Sequence, residues 1–198
     1  LTMAQFASAG DLITQVERRN STNDAPAIDG PLAEDSLCFV DRTHEYNVLP
    51  AGPTALDYVK TANNDKSDGD VEYDIHYSAA TTTLLLILDN RLGYGSTGGG
   101  DPDVNPDLVA AGMTWVTDLG FADTGLNIGI DENGDDSIDQ YSSIYYLDVA
   151  GGGMVTLLAQ NDATNAGGRN MYGVAAIPEP MTLTLLGLGG LGLIRRRR

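Results

Sequence analysis

Within this 198-residue chain, the side chains best placed for chemistry lie in Asp131-Glu132-Asn133-Gly134-Asp135-Asp136-Ser137-Ile138-Asp139. Oxygen-bearing side chains stand at positions 1, 3, 5 and 9 of that stretch, with Ile138 at position 8. This is the spacing of a loop that coils round a calcium ion, where alternate oxygens turn inward toward a hard cation. Asp131, Asn133, Asp135 and Asp139 are the candidate ligands. Position 6 is Asp136 rather than Gly, position 12 is Ser142 rather than a bidentate acid, and no helical pattern flanks the stretch. An acidic hairpin turn suits the same residues, so calcium is the candidate cofactor and a plain turn the alternative.

Elsewhere the usual catalytic patterns are missing. There is no Gly-x-Ser-x-Gly, His-Glu-x-x-His or Cys-x-x-Cys, and His44 and His76 are the only histidines. Asp41, His44 and Glu45 stand close in sequence, but no nucleophile accompanies them, and a polar strand end is the expectation. Cys38 is the sole cysteine, inside the apolar run Ser36 to Val40, and reads as a buried small hydrophobe. Gly93-Tyr94-Gly95-Ser96-Thr97-Gly98 has the Gly-x-Gly-x-x-Gly spacing of a dinucleotide site. Such a site needs a helix directly after it, and here Gly99-Gly100-Asp101-Pro102 follows, so a surface loop is expected. The chain is read as a non-enzyme.

Charge narrows the partners. Lys and Arg number 11 against 28 Asp and Glu, a net charge of −17. Leaving aside Glu179 and Arg195 to Arg198, the remaining chain has 7 basic and 27 acidic side chains. A surface this negative repels nucleic-acid phosphate and gains nothing from anionic lipid. Nucleic acid is excluded as a partner. Asp outnumbers Glu 22 to 6, and 24 Gly accompany only 2 Lys, a composition suited to turns rather than helices.

The C-terminal end carries the most specific pattern. Pro178-Glu179-Pro180 removes two N–H donors and biases the backbone to extended conformations. Met181 to Ile194 follows as 14 uncharged residues, and Arg195, Arg196, Arg197 and Arg198 close the chain. As a helix those 14 residues would rise about 21 Å against a hydrocarbon core of roughly 30 Å, so a short membrane helix that retains the chain transiently is expected. The arginine cluster belongs on the cytoplasmic side, which puts the acidic body on the outer side. At the other end, Ala7-Ser8-Ala9-Gly10 fits a signal-peptide cleavage site, so residues 1–9 are read as a signal remnant.

Residues 178–198 resemble a PEP-CTERM sorting signal, with Pro-Glu-Pro, apolar span and arginine run in order. The resemblance covers 21 of 198 residues. It implies export, recognition near Pro178, Glu179 and Pro180 by an exosortase in the membrane, and a product in the cell envelope or outside the cell. Proteins with this tail tend to be linked with exopolysaccharide and biofilm matrix. More faintly, Phe39 to Tyr46, Tyr58 to Lys66 and Trp115 to Phe121 resemble uncharacterised exported domains that carry this tail.

Between the ends, short apolar runs alternate with turn residues. Strands are expected over 11–17, 36–41, 55–60, 71–77, 81–89, 113–117, 126–130, 143–149, 154–159 and 171–177, with a little helix within 4–13. Thr82 to Leu88 reads as a central strand covered on both faces. The spacing predicts an all-β fold over residues 10–177, a single β-sandwich or jelly-roll-like domain, followed by the sorting signal over 178–198. A structural or interaction protein of the envelope or matrix is the resulting expectation. The alternative is a calcium-assisted carbohydrate-binding module, with Tyr94, Trp115, Tyr145 or Tyr146 stacking on sugar.

Overall fold

The computed structural model describes residues 5–6, 11–50, 57–95, 101–160, 162 and 164–178. Among them, four strands make a smaller antiparallel sheet: β1 (Gln5–Phe6), β2 (Ile13–Arg19), β7 (Glu72–Tyr77) and β11 (Gly153–Leu157), in that spatial order. Eight others make a larger one: β3 (Ala27–Asp29), β4 (Ser36–Leu37), β5 (Glu45–Tyr46), β6 (Asp57–Lys60), β8 (Thr81–Asp89), β9 (Ala122–Asp131), β10 (Gln140–Asp148) and β12 (Gly173–Pro178). Their spatial order is β3-β6-β12-β8-β10-β9-β5-β4, and the sheet curls into a half-barrel.

Among the described residues the all-β expectation holds, as two antiparallel sheets with almost no helix. β8 sits between β12 and β10, as its sequence demands. Leu84, Leu86 and Leu88 on one face are fully buried, and Ile87 on the other is 3% exposed. Burying both faces is why this strand lacks the alternation seen in β7. Tyr46 and Tyr58 pack edge to face on the same side of the curled sheet as Ile87, at a ring separation of 6.1 Å. Gly173 leaves the room that the Tyr46 hydroxyl occupies. Cys38 joins the core with no exposed surface, and burial pushes its thiol well up from the ordinary value. One contiguous hydrophobic cluster runs from Leu12 to Ala176.

Polar side chains join the two sheets. The Asp57 carboxylate in β6 accepts the N–H groups of Leu12 and Ile13 at 2.5 and 2.9 Å. Arg18 from β2 and Asp65 from the 3-10 turn Asn63–Ser67 form an ion pair at 3.1 Å, with neither side chain exposed. Asp65 also accepts from Ser21 at 2.6 Å, from Asn23 at 2.7 Å and from the Tyr73 hydroxyl. Arg18 donates to the carbonyls of Asn23 and Asp24.

Two local expectations are corrected, and a third falls partly outside the described residues. Residues 113–117 are not a strand: Trp115–Asp118 is one helical turn, α1, bracketed by Gly112 and Gly120 at φ +74° and +96°. In and around it Met113, Trp115, Val116 and Phe121 are buried while Thr114, Thr117 and Asp118 carry the polar side, a division that a run of five residues does not reveal. Of the segment 4–13, where a little helix is expected, Gln5–Phe6 is a strand pairing with Arg18 and Glu17 and Ile13 opens β2, while residues 4 and 7–10 lie outside the described residues. The strand expected over 36–41 is confined to Ser36–Leu37, followed by a single parallel bridge from Phe39 to Thr61. Residues 1–4 and 7–9 of the expected signal remnant lie outside the described residues, as do 179–198 with the expected membrane helix. Among the described residues no helix is long and apolar enough to cross a membrane.

Candidate functional site

The antiparallel register gives the larger sheet two distinct ends. Asp89, Ile130, Gln140 and Gly173 lie toward one, and Thr81, Ala122, Asp148 and Pro178 toward the other. At the first end five separate loops meet through polar side chains. The Asp41 carboxylate accepts the N–H groups of Asn63 and Asn64 at 2.7 and 3.1 Å, fixing the start of the 3-10 turn against the β4–β5 connection. Arg42 donates to Asn64 Oδ1 at 2.5 Å. Asn63 in turn accepts the Met171 N–H at 2.8 Å and donates to Asn170 Oδ1 at 3.3 Å.

From Asn170 the network continues to charged groups. Asn170 donates through its N–H to Asp89 at 2.8 Å and through its side chain to Glu132 at 3.0 Å. Arg91 joins the same two carboxylates, at 2.7 Å to Asp89 and 3.1 Å to Glu132. Asp89 has no exposed side-chain surface, whereas Arg91 is 24% and Glu132 32% exposed, so the network is anchored inside and opens outward.

His44 and Lys66 complete this end. His44 packs edge to face on Phe39 at 5.7 Å, and its Nδ1 is buried without a hydrogen-bond partner. Burial lowers its pKa, with Glu132 opposing and Arg42 and Lys66 adding to the effect, so the imidazole is neutral at pH 7. The Lys66 ammonium is pushed down by burial, then by the Arg42 guanidinium, with Glu132 opposing and Arg91 adding. Three of the body's seven cations therefore gather at one end of a strongly acidic protein. Asp41 and His44 do come together with Arg42, yet Asp41 is spent on backbone amides and Glu45 lies in β5 beside Asp131. Sequence reasoning missed Asn63, Lys66, Asp89, Arg91 and Asn170. The scarcity of basic residues was the available signal, since each must be accounted for in a body of 27 acids.

The proposed calcium ligands occupy the connection between β9 and β10, a hairpin loop. Asp131 is 1% exposed and works as a hub for the loop's own backbone. Its Oδ1 accepts from the N–H groups of Asn133 and Gly134 at 2.8 and 2.6 Å, and its Oδ2 from that of Asp136 at 2.8 Å. Burial raises its pKa, but the amides of Asn133, Gly134 and Asp136 outweigh that and hold it below the ordinary 3.8. Asp139 accepts from the Glu132 N–H at 2.7 Å and the Asn133 side chain at 3.2 Å, and Asp135 caps Ser137 at 3.0 Å. Among the described residues no group of three or more His, Cys, Asp or Glu is arranged to hold a metal ion. These amides close the loop around Asp131.

Because the folded pKa of Asp131 is lowered, its contribution to stability is complete above the ordinary 3.8 and is lost as pH falls through the folded value. Asp131→Asn is expected to lower stability at neutral pH and to flatten the acid limb of a stability–pH profile. Thermal melts with added calcium and with chelator are expected to coincide. A melting temperature that rises with calcium would place the cation in the loop.

Other sequence candidates separate. Trp115 is 9% exposed, with its indole N–H donated to the Ala159 carbonyl at 3.2 Å, and Tyr145 is 6% exposed. Neither offers a face to sugar, because α1 and the alternation of β10 turn them inward. Tyr94 and Tyr146 are exposed. The Gly93 loop packs its α-carbon against Asp107 at φ +84°, and the segment after 101 turns rather than entering a helix. Pro178 is the last residue of β12. Glu179, Pro180 and Arg195 to Arg198 lie outside the described residues.

Comparison with known proteins bears on both the body and the tail. Over 82% of its length the chain is similar in fold to part of a β-glucuronidase from glycoside hydrolase family 2, with a TM-score of 0.54 and 14% identity. The match spans 14% of that chain and concerns fold alone. The body is thus a two-sheet antiparallel β fold. A comparison with curated proteins finds no match. Residues 176–198 match the family model described as the PEP-CTERM protein-sorting motif. The chain carries that signal, which is recognised by exosortase, a membrane protein, and which implies exosortase-dependent sorting of an exported protein.

Proposed function

We propose that this is a non-enzymatic envelope or extracellular-matrix protein of structural and interaction type, retained transiently in the membrane by residues 181–194 and then released or attached after processing at its sorting signal. The observation that carries the reading is the PEP-CTERM match over residues 176–198, which begins inside β12. The last strand of the body and the start of the signal share Ala176 to Pro178, so the signal follows the domain with no linker. β12 starts beside the polar loop network and ends at Pro178. A body held by its tail at a membrane therefore presents Arg42, Lys66, Arg91 and Glu132 on the far side.

That outward end is the surface offered to matrix components, and exopolysaccharide fits it through hydrogen bonds and through acidic groups that Lys66 and Arg42 can meet. The calcium-assisted alternative has no observation favouring it. The test is the intact and peptide mass of the protein recovered from its native host after separation of cells, envelope and medium. A product lacking everything beyond the Pro178-Glu179-Pro180 region, found outside the cytoplasm, is expected. A chain still ending in Arg198 and held in the inner membrane would mean that the tail is a plain anchor.

A further inference from the structure

At the end opposite the polar network, the outer rim of the half-barrel opens into a groove of about 450 Å3. Leu85 from β8, Leu126 from β9, Ile144 and Tyr146 from β10, and Ile177 and Pro178 from β12 line it. The volume is in the range of about 300–1,000 Å3 typical of sites that hold a small apolar guest. Leu126 is 43% and Tyr146 37% exposed, so apolar surface is left facing water. Burying it is favourable by about 25 cal/mol per Å2.

The groove's own lining names an occupant. Pro178 is both a wall of the groove and the residue from which the tail departs. Met181 begins three residues on, at most about 11 Å away along an extended chain. The following 14 residues carry no charge and include six Leu, a segment that water disfavours as strongly as it disfavours the groove. Charge agrees with the match. The groove contains Asp148 and no basic residue, and the tail ends in Arg195 to Arg198 against a body of 27 acids and 7 bases.

We propose that, in the full chain away from a membrane, this groove holds apolar side chains of the protein's own segment Met181 to Ile194. Only a few of them fit, so the contact is a partial shield for the tail. Tethering makes a modest intrinsic affinity sufficient: a short linker supplies an effective concentration of about 1 mM, so a site of about 0.1 mM affinity would be occupied roughly ten to one. The inference uses the composition of the tail and not its recognition by exosortase, so it can fail while the sorting reading stands.

Hydroxyl-radical footprinting of the dilute full chain in vesicle-free buffer tests it, against the full chain carrying Leu185→Asp, Leu186→Asp and Leu188→Asp. These changes leave the body untouched and make the segment too polar to dock. Leu126 and Tyr146 are expected to be about tenfold less reactive in the native chain, following that occupancy, while the exposed Val109 reacts equally in both. In a second measurement, Leu126→Cys paired with Leu186→Cys is expected to form an intramolecular disulfide on mild oxidation, since Cys38 is fully buried. Equal reactivity of the groove in the two chains overturns the proposal. So does protection that fades on dilution, which would mark a second copy as the occupant. Protection that appears only with phosphatidylglycerol vesicles would assign the groove to lipid and overturn it equally.

Discussion

Asp65→Ala is expected to remove about 3–5 kcal/mol of stability, the loss that follows when one member of a buried ion pair is deleted. The pair at 3.1 Å has no exposed side-chain surface on either side, so water cannot take the carboxylate's place. The variant removes the Asp65 carboxylate from beside the buried Arg18 guanidinium and deprives Ser21, Asn23 and Tyr73 of their acceptor. A domain stable by about 5–15 kcal/mol would lose a large share of its margin. Urea unfolding checks this through a lower midpoint at an unchanged slope. Replacing both partners, Arg18→Met with Asp65→Leu, is expected to recover much of the loss, because apolar pairs of similar volume avoid the cost of desolvating charge. A loss below about 1 kcal/mol for Asp65→Ala would mean that the loop Ser21–Asp24 relaxes to readmit water.

Leu86→Ala is the second large effect, about 2–5 kcal/mol. Leu86 is fully buried in β8, which is held on one side by β12 through the Val174 register and on the other by β10 through Tyr145. Neither neighbour can move inward without breaking its ladder, so the cavity stays open and the cost sits toward the upper part of that range. Val109→Ala, at a site 77% exposed, provides the contrast, with a change within about 0.5 kcal/mol. Equal effects at the two positions would show that β8 is not the centre of the core.

The two substitutions differ in how far the residues themselves announce the outcome. Leu86 belongs to a run whose uninterrupted apolar character can be satisfied only by cover on both faces, so its central position was legible along the chain. Asp65 was not. It stands in Asp65-Lys66-Ser67-Asp68-Gly69-Asp70, which reads as a solvated loop, and only the fold brings Arg18, 47 residues away, against it. The same limit applies to Arg91, Glu132 and Asn170, whose meeting depends on strand order rather than on any local spacing. Lys66 and Arg42 were visible as rare cations, but nothing along the chain said that they gather at one end.

What the chain determines unaided is whatever rests on local composition and order. The antiparallel β class follows from short alternating runs between turn residues. The burial of Cys38 follows from its apolar neighbours, and the sorting signal from three consecutive segments that need no partner elsewhere in the molecule. Tertiary structure alone decided the rest: the curl of the larger sheet, the inward turn of Trp115 and Tyr145, and the use of Asp131 as an acceptor for its own loop. It also put the polar network and the tail's departure point at opposite ends. Those features depend on pairings between residues tens of positions apart, and hydrophobic burial, which is strong but non-directional, selects among them only when the whole core closes at once.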